Sequence, residues 1–555
     1  MRTYLHHPLR SIGFLLLFTT GYFIAIAQGF SPETKQRLQH VIDSFQNDPA
    51  NPYVGGMSAA INVDGLASWQ GATGFAARNV DAQNNLLAGG SPFTTATVSR
   101  MYSVTKTFTA SLVLELANQG AFNLEDQVSN FLPMNLINPG LNSAVTLRQL
   151  LAHESGYSEY TDEMQLQIAV AFQPTHSWTP PEILSFVHQI AAPGVIRRYS
   201  STNYIVLGAI IEIVTHKPVQ QHFRERFFNP LRLRSMFFGE REPIPAGASL
   251  ASPHDNISPF NPIFQLTGQP TFPDAYTNIS AFPFTSIVSL AFTGGAIVSN
   301  VSDMAEWGNA LYGGRATSPL TLTKMVNSIS PTPDEDGDFL GYGIIRSTKI
   351  SSTDVFIGHD GNGPGYRSVM FYQPDKKMTI AILTNYHGAK LYDVAKALYE
   401  SLPDFTCDHR NKKDDKVLVC FNGHSLCLPR PAAAVHIRHG AYLGECSPGQ
   451  NTHSDDNDRR SKENVLISDE ATMNGYPNPF SDQVVISFMV AKPGKVSLVL
   501  YDMNGKPVVT VFNGIAEKGV LQKVELNTQK LPAGIYFSRL QTQDGISQQK
   551  LSLIR

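Results

Sequence analysis

Residues 103–112 read SVTKTFTASL. The apolar and small residues that follow Lys106 predict a buried helix over Lys106–Asn118, with the lysine in its first turn. That is a poor place for a structural lysine. The positive end of the helix dipole disfavours a cation there, and lysine is rarely buried without a partner. Residues three apart share one helix face, so the Ser103 hydroxyl and the Lys106 amine can meet. A serine hydroxyl is a weak nucleophile until a base takes its proton. Burial and the helix N-terminus both favour the neutral amine. The features that make Lys106 awkward in a core therefore suit it as a general base. The plainer alternative is a capping serine and a lysine snorkelling to water. Helical context matters, because Ser-x-x-Lys recurs at Ser547 and Lys550 in a predicted strand, where a period of two puts the pair on opposite faces.

Two other stretches carry complementary chemistry. In RRYSSTNYIVLG (197–208), Tyr199 precedes a helix expected from near Asn203. A tyrosine beside a lysine and a serine can relay a proton to a leaving group; the alternative is a ring packed with its hydroxyl in water. In FIGHDGNGPGYRS (356–368), His359 and Gly361 fall where a strand is expected. Glycine there lets a substrate approach the backbone closely. The amide of Asn362 can pair with that of Ser103 as an oxyanion hole; the alternative is a glycine-rich surface turn.

Ser-x-x-Lys, then Tyr-Ser-Ser about a hundred residues on, then His-Asp-Gly near the end of a domain resembles the pattern of penicillin-recognising serine hydrolases. That family includes class C β-lactamases, D-alanyl-D-alanine carboxypeptidases, and related esterases and D-amino-acid amidases and peptidases. The stretches TLRQLLAHESGYSEYTD and YSSTNYIVLGAIIEIVT also resemble it, and the likeness runs from about Phe30 to Leu402. The resemblance implies an α+β fold of the β-lactamase/transpeptidase type, with an antiparallel sheet flanked by helices and a helical subdomain. It implies Ser103 as the acylated nucleophile, Lys106 as its base, Tyr199 as proton shuttle and His359 as a positioning group. Ser201, Asp360, Gly361 and Asn362 would then face the substrate, with no metal or cofactor required. Two positions depart from the family. Ser201 stands where an asparagine is usual and has no amide to offer. Asn203, two residues on, could substitute for it but is expected rather to cap the next helix. Asp360 stands where threonine often helps to bind a substrate carboxylate, and an ionised Asp360 facing inward would repel it. That lowers the expectation for β-lactams and D-Ala-D-Ala and raises it for esters, or amides with neutral or cationic groups. A D-alanyl-D-alanine carboxypeptidase-like or β-lactamase-related hydrolase stays the first expectation, and an esterase or D-amino-acid amidase of the same fold the alternative. A peptidoglycan-type or other small-molecule substrate is the expected partner. A non-catalytic peptidoglycan binder is the alternative of another class.

The rest of the 555 residues sets the context. The net charge is −3 with no basic block, which gives nucleic-acid binding no electrostatic support. Residues 1–27 have the pattern of a signal peptide, with Ala25 and Ala27 before Gln28. A hydrolase domain is expected over 28–405 and a linker with a Cys/His-rich module over 406–470. A small all-β sandwich is expected over 471–555, from short alternating strands such as VVISFMV and KVSLVLYD. The four cysteines lie between Cys407 and Cys446. Two disulfides are the favoured reading in an exported chain, and zinc on cysteine and histidine the other. The tail, with YPNPFSDQVVISFMV and LPAGIYFSRL, resembles a type IX secretion C-terminal sorting domain. It implies passage across the outer membrane by that machinery to the cell surface or medium; an adhesive sandwich is the alternative. No complete G-x-S-x-G or H-E-x-x-H occurs, which argues against an α/β-hydrolase and a zincin. His153 is read as structural.

Overall fold

The apolar run MTIAILT (378–384) has no polar alternation of the kind a half-exposed strand shows, so it reads as a strand buried on both faces. In the computed structural model it is a central strand of an eight-stranded sheet, buried along its whole length. The model describes residues 29–49, 53–407, 415–446 and, with short breaks, 472–554. The expected leader (1–27) and the charged segment 451–464 lie outside the described residues. The described chain forms two compact units, Met1–Asn451 and Thr452–Arg555.

The sheet of the first unit runs Leu86–Pro92, Ala67–Val80, Gly56–Val63, Met378–Thr384, Tyr366–Gln373, Phe356–Gly363, Ile345–Ser347, Phe339–Leu340, with every neighbouring pair antiparallel. The register pairs Met370 with Ala381 and Phe371 with Ile380. The period of two then splits each strand between two cores. Met370, Tyr372, Ala381 and Leu383 enter one core with the helices Thr105–Asn118, Thr202–Thr215 and Val301–Tyr312. Val369, Phe371, Ile380 and Ile382 enter the other, against the helices Pro32–Gln46 and Leu391–Glu400. The first core is the helical subdomain, which places one end of Thr105–Asn118 beside the strand Phe356–Gly363.

The cysteine-rich segment does not stand apart as a linker. Its strands Lys416–Phe421 and His424–Pro429 and its helix Arg430–Arg438 put Val417, Val419, Ala433 and Ile437 into the second core. Its strand Tyr442–Leu443 bonds back to the start of the described chain, the Leu443 amide donating to the Gly29 carbonyl at 2.7 Å. The apolar residues responsible are few and interspersed with charge, so composition alone hides this packing. The cysteines pair as Cys407–Cys427 and Cys420–Cys446.

The second unit is all-β. A three-stranded sheet (Thr472–Tyr476, Gln483–Met489, Gln522–Asn527) and a four-stranded one (Pro507–Ala516, Gly494–Tyr501, Gly534–Gln541, Ile546–Leu553) enclose one small core that includes Val484, Ile486, Leu498, Leu540 and Leu551. Ser547 and Lys550 lie on the last of these strands, an odd number of residues apart and hence on opposite faces.

Candidate active site

The helix Thr105–Asn118 is preceded by a tight turn, Tyr102–Val104. Tyr102 takes a left-handed backbone, φ 44°, which is a strained conformation for a bulky residue. Its surroundings hold it there. The Tyr102 hydroxyl donates to the Pro364 carbonyl at 3.1 Å, and Ser368 Oγ donates to the Met101 carbonyl at 2.7 Å. Gly361 lies so close that a Cβ on it would stand 2.0 Å from the Met101 carbonyl oxygen. The strained turn carries Ser103 into a cavity of about 980 Å³.

Lys106 is fully buried, at 0% exposure. Its Nζ donates to Ser103 Oγ at 2.9 Å, to Ser201 Oγ at 3.1 Å and to the Gly294 carbonyl at 2.9 Å. It also sits over the Tyr199 ring, 4.9 Å from the centroid. Burial holds the amine's pKa down to about 7, against the pull of the Glu159 and Asp360 carboxylates. Tyr199 Oη donates to Ser103 Oγ at 2.7 Å. Burial pushes that phenol well above its ordinary range, so it stays protonated. Ser103 Oγ thus has a neutral-capable amine on one side and a phenol on the other.

The turn bearing Tyr199 is fastened to the segment 153–160. The Ser200 amide donates to His153 Nδ1 at 3.0 Å, and the His153 ring stacks on Tyr199 with centroids 4.7 Å apart. Ser200 Oγ and Thr202 Oγ1 donate to the Ser158 carbonyl at 3.1 and 2.7 Å. His153 is therefore structural in a specific sense: it supports the tyrosine. The helix begins at Thr202, and Asn203 does not cap it. Asn203 lies inside the first turn, fully buried, and accepts from Ser155 Oγ at 2.6 Å. Buried between two elements, its side chain is held away from the position a capping residue takes.

The strand Phe356–Gly363 supplies the remaining groups. His359 is 1% exposed; burial and the nearby Lys106 hold its imidazole down to about 3, so it is neutral. Its Nδ1 lies 2.6 Å from the Asp360 carbonyl oxygen, and its ring 6.0 Å from that of Tyr199. A proton on that nitrogen would donate to the carbonyl, leaving Nε2 as the free acceptor. Asp360 faces the cavity, with its side chain 36% exposed. Burial and the neighbouring Asp338 push its carboxyl up to about 6. Asn362 also lines the cavity, and its Oδ1 accepts from Arg367 Nε at 3.3 Å. The Ser201 hydroxyl, in place of an asparagine amide, keeps a contact with the lysine.

Several lining groups escaped the sequence reading. Glu159 sits in a stretch whose likeness was noted without assigning it a place. Asp334, Asp336 and Asp338, in the run DEDGD, also line the cavity, with Lys349 and Arg367. Lys349 pairs with Asp338 at 2.7 Å. The lining also includes the apolar side chains of Leu166, Val170, Phe260, Phe264, Phe282 and Leu290. Among the described residues no group of histidine, cysteine and carboxylate side chains is placed to hold a metal ion.

A family model described as Beta-lactamase matches residues 41–401, and one described as Secretion system C-terminal sorting domain matches residues 474–554. Penicillin-binding protein 4 of Amycolatopsis lactamdurans is 30% identical over 141 residues, 25% of this chain and 36% of that protein. The matches to the first curated relatives thus span only 27% and 36% of those proteins. The structure of a D-stereospecific amidohydrolase from Streptomyces sp. is 25% identical with a TM-score of 0.51, over 66% of this chain and 97% of that one. D-amino acid amidase from Ochrobactrum anthropi SV3, complexed with L-phenylalanine amide, is 24% identical with a TM-score of 0.53, over 66% and 98%, a likeness of fold.

Proposed function

The chain belongs to the Beta-lactamase family and carries a secretion sorting domain for export, and from that premise we propose that it is an exported serine amidase working through an acyl-enzyme on Ser103. Its substrates in this reading are amides whose acyl group is neutral or cationic and carries an apolar side chain. The observation that carries the substrate class is Asp360, whose carboxylate faces the cavity where a substrate carboxylate would otherwise be received. The apolar part of the cavity lining suits a large side chain. The likeness to a D-stereospecific amidohydrolase supports the same class. Entry to the export route would use residues 1–27 as a signal peptide and the type IX machinery through the tail.

In this mechanism neutral Lys106 takes the Ser103 proton as Oγ attacks the carbonyl carbon. The amides of Ser103 and Asn362 hold the oxyanion. Tyr199 gives its phenol proton to the departing amine as the C–N bond breaks and is reprotonated from Lys106, which returns to the neutral amine; its supports at His153 and His359 keep the phenol aimed. Water then attacks the acyl-enzyme along the same path in reverse. Because the base must be neutral, activity should rise with pH through about 7 and level off above it. A profile of kcat/KM against pH checks this; a rate that falls across that range would exclude the lysine as base.

A second reading, a penicillin-binding carboxypeptidase, is favoured by Arg367, a cation in the cavity able to receive a carboxylate. The two readings separate on Asp360→Thr. With an amidase, the wild type should hydrolyse D-phenylalanine amide and leave D-alanyl-D-alanine peptides and penicillin nearly untouched. The substitution should raise use of the carboxylate-bearing substrates about tenfold or more, one removed like-charge contact being worth over 1 kcal/mol at close range. Rapid wild-type turnover of those substrates, with no effect of the substitution, would decide for the carboxypeptidase.

A further inference from the structure

Glu159 has no place in the bond-making steps above, yet it lines the cavity and is bonded to a residue that Lys106 contacts. Its Oε2 accepts from the Ser201 amide, and its Oε1 from the Thr161 amide at 3.3 Å. The Ser201 hydroxyl in turn accepts from Lys106 Nζ at 3.1 Å. Glu159 therefore reaches the lysine through one residue, the serine that replaces the family's asparagine.

The other groups that face Lys106 are accounted for. They are the hydroxyls of Ser103 and Ser201, the Gly294 carbonyl, the rings of Tyr199 and Tyr204, and the imidazoles of His153 and His359. Both imidazoles are held neutral by burial. The acidic groups acting on the lysine are Glu159 and Asp360, and both oppose the effect of burial by favouring its charged form. Burial raises the pKa of Glu159 itself, against the Ser201 amide and Lys106, which favour its carboxylate. Asp360 comes from the sheet and faces the cavity; Glu159 comes from the helical side and is bonded to the turn that carries Tyr199. The turn is also bonded to His153, Ser158 and Tyr160, and the preceding Arg197 pairs with Glu154 at 2.6 Å.

We propose that Glu159 is a positioning residue that fixes Ser201 against Lys106 and whose negative charge sets the pH at which the lysine becomes a base. This rests on the reading of Lys106 as the base. Gln at this position keeps an acceptor for the Ser201 amide but removes the charge; Ala removes both.

The test is the pH profile of kcat/KM for the full chain and for Glu159→Gln and Glu159→Ala, with D-phenylalanine amide and a small ester as probes. Circular dichroism and thermal melting of each variant establish that it is folded. In Glu159→Gln the acid limb should move to lower pH by about one unit, because an opposite charge beside the amine is lost. Its plateau should stay within about threefold of wild type. In Glu159→Ala the plateau kcat should fall about tenfold or more, with KM little changed, because the Ser201 amide loses its acceptor. An acid limb that stays in place in Glu159→Gln would overturn the proposal, whatever the plateau does. If Lys106→Met keeps full activity, it is the reading of the base that fails. If Lys106→Met is inactive and Glu159→Gln titrates like wild type, only the role of Glu159 fails.

Discussion

Replacing Lys106 by methionine is expected to slow acylation of Ser103 by about 10³- to 10⁴-fold, the upper part of what a positioned general base contributes. Methionine is close to lysine in length and has no charge to desolvate, so the packing at this fully buried site should survive. The change leaves the Gly294 carbonyl and the Ser201 hydroxyl without their donor, and nothing near Ser103 Oγ then takes its proton. Tyr199 cannot replace the lysine, since its phenol is held protonated. Single-turnover acylation followed by quenched-flow mass measurement reads the effect, and a thermal melt separates it from unfolding. A variant that folds and acylates at a rate within tenfold of wild type would remove Lys106 from the mechanism.

The second large effect is expected at Gly361. A Cβ there would lie 2.0 Å from the Met101 carbonyl oxygen and 2.4 Å from Ser368 Oγ. The first is a backbone atom that has no rotamer to yield, and Ser368 Oγ is itself tied to that carbonyl. In Gly361→Ala the strand carrying Asn362 must withdraw from the turn carrying Ser103. The two amides of the proposed oxyanion hole then part. Loss of one oxyanion donor costs about 10²- to 10³-fold in kcat, and a similar fall is expected here. KM should change much less, since the apolar lining residues lie on elements other than the strand. Steady-state kinetics on a folded variant check this; unchanged kcat would mean that the oxyanion is held elsewhere.

Much of this fold is local and therefore legible. MTIAILT declares a strand buried on both faces, and the residues after Lys106 declare a buried helix, because period and burial are set by neighbours along the chain. The meeting of Ser103 and Lys106 was legible for the same reason: three residues on a helical path bring two side chains together. The joining of Tyr199 and His359 to that pair spans more than two hundred residues, and only the family likeness suggested it. Glu159 and Asp338 were not legible at all. A carboxylate in SEYTD or DEDGD looks solvated until tertiary packing turns it inward. The same holds for the cysteine-rich segment, whose few apolar residues, such as Val419 and Ile437, gain meaning only against the second core. Asn203 misled because asparagine favours helix caps, whereas its bond from Ser155 holds it within the helix.

On the proposed function, the chain turns over its substrates through an acyl bond to Ser103. The most direct measurement is the intact mass of the full chain, acid-quenched within milliseconds of mixing with an excess of an activated ester, followed by peptide mapping. The expected result is a transient mass gain equal to the acyl group, located on the peptide that contains Ser103 and absent in Ser103→Ala. Turnover of the ester with no adduct on that peptide, or turnover that persists in Ser103→Ala, would contradict it.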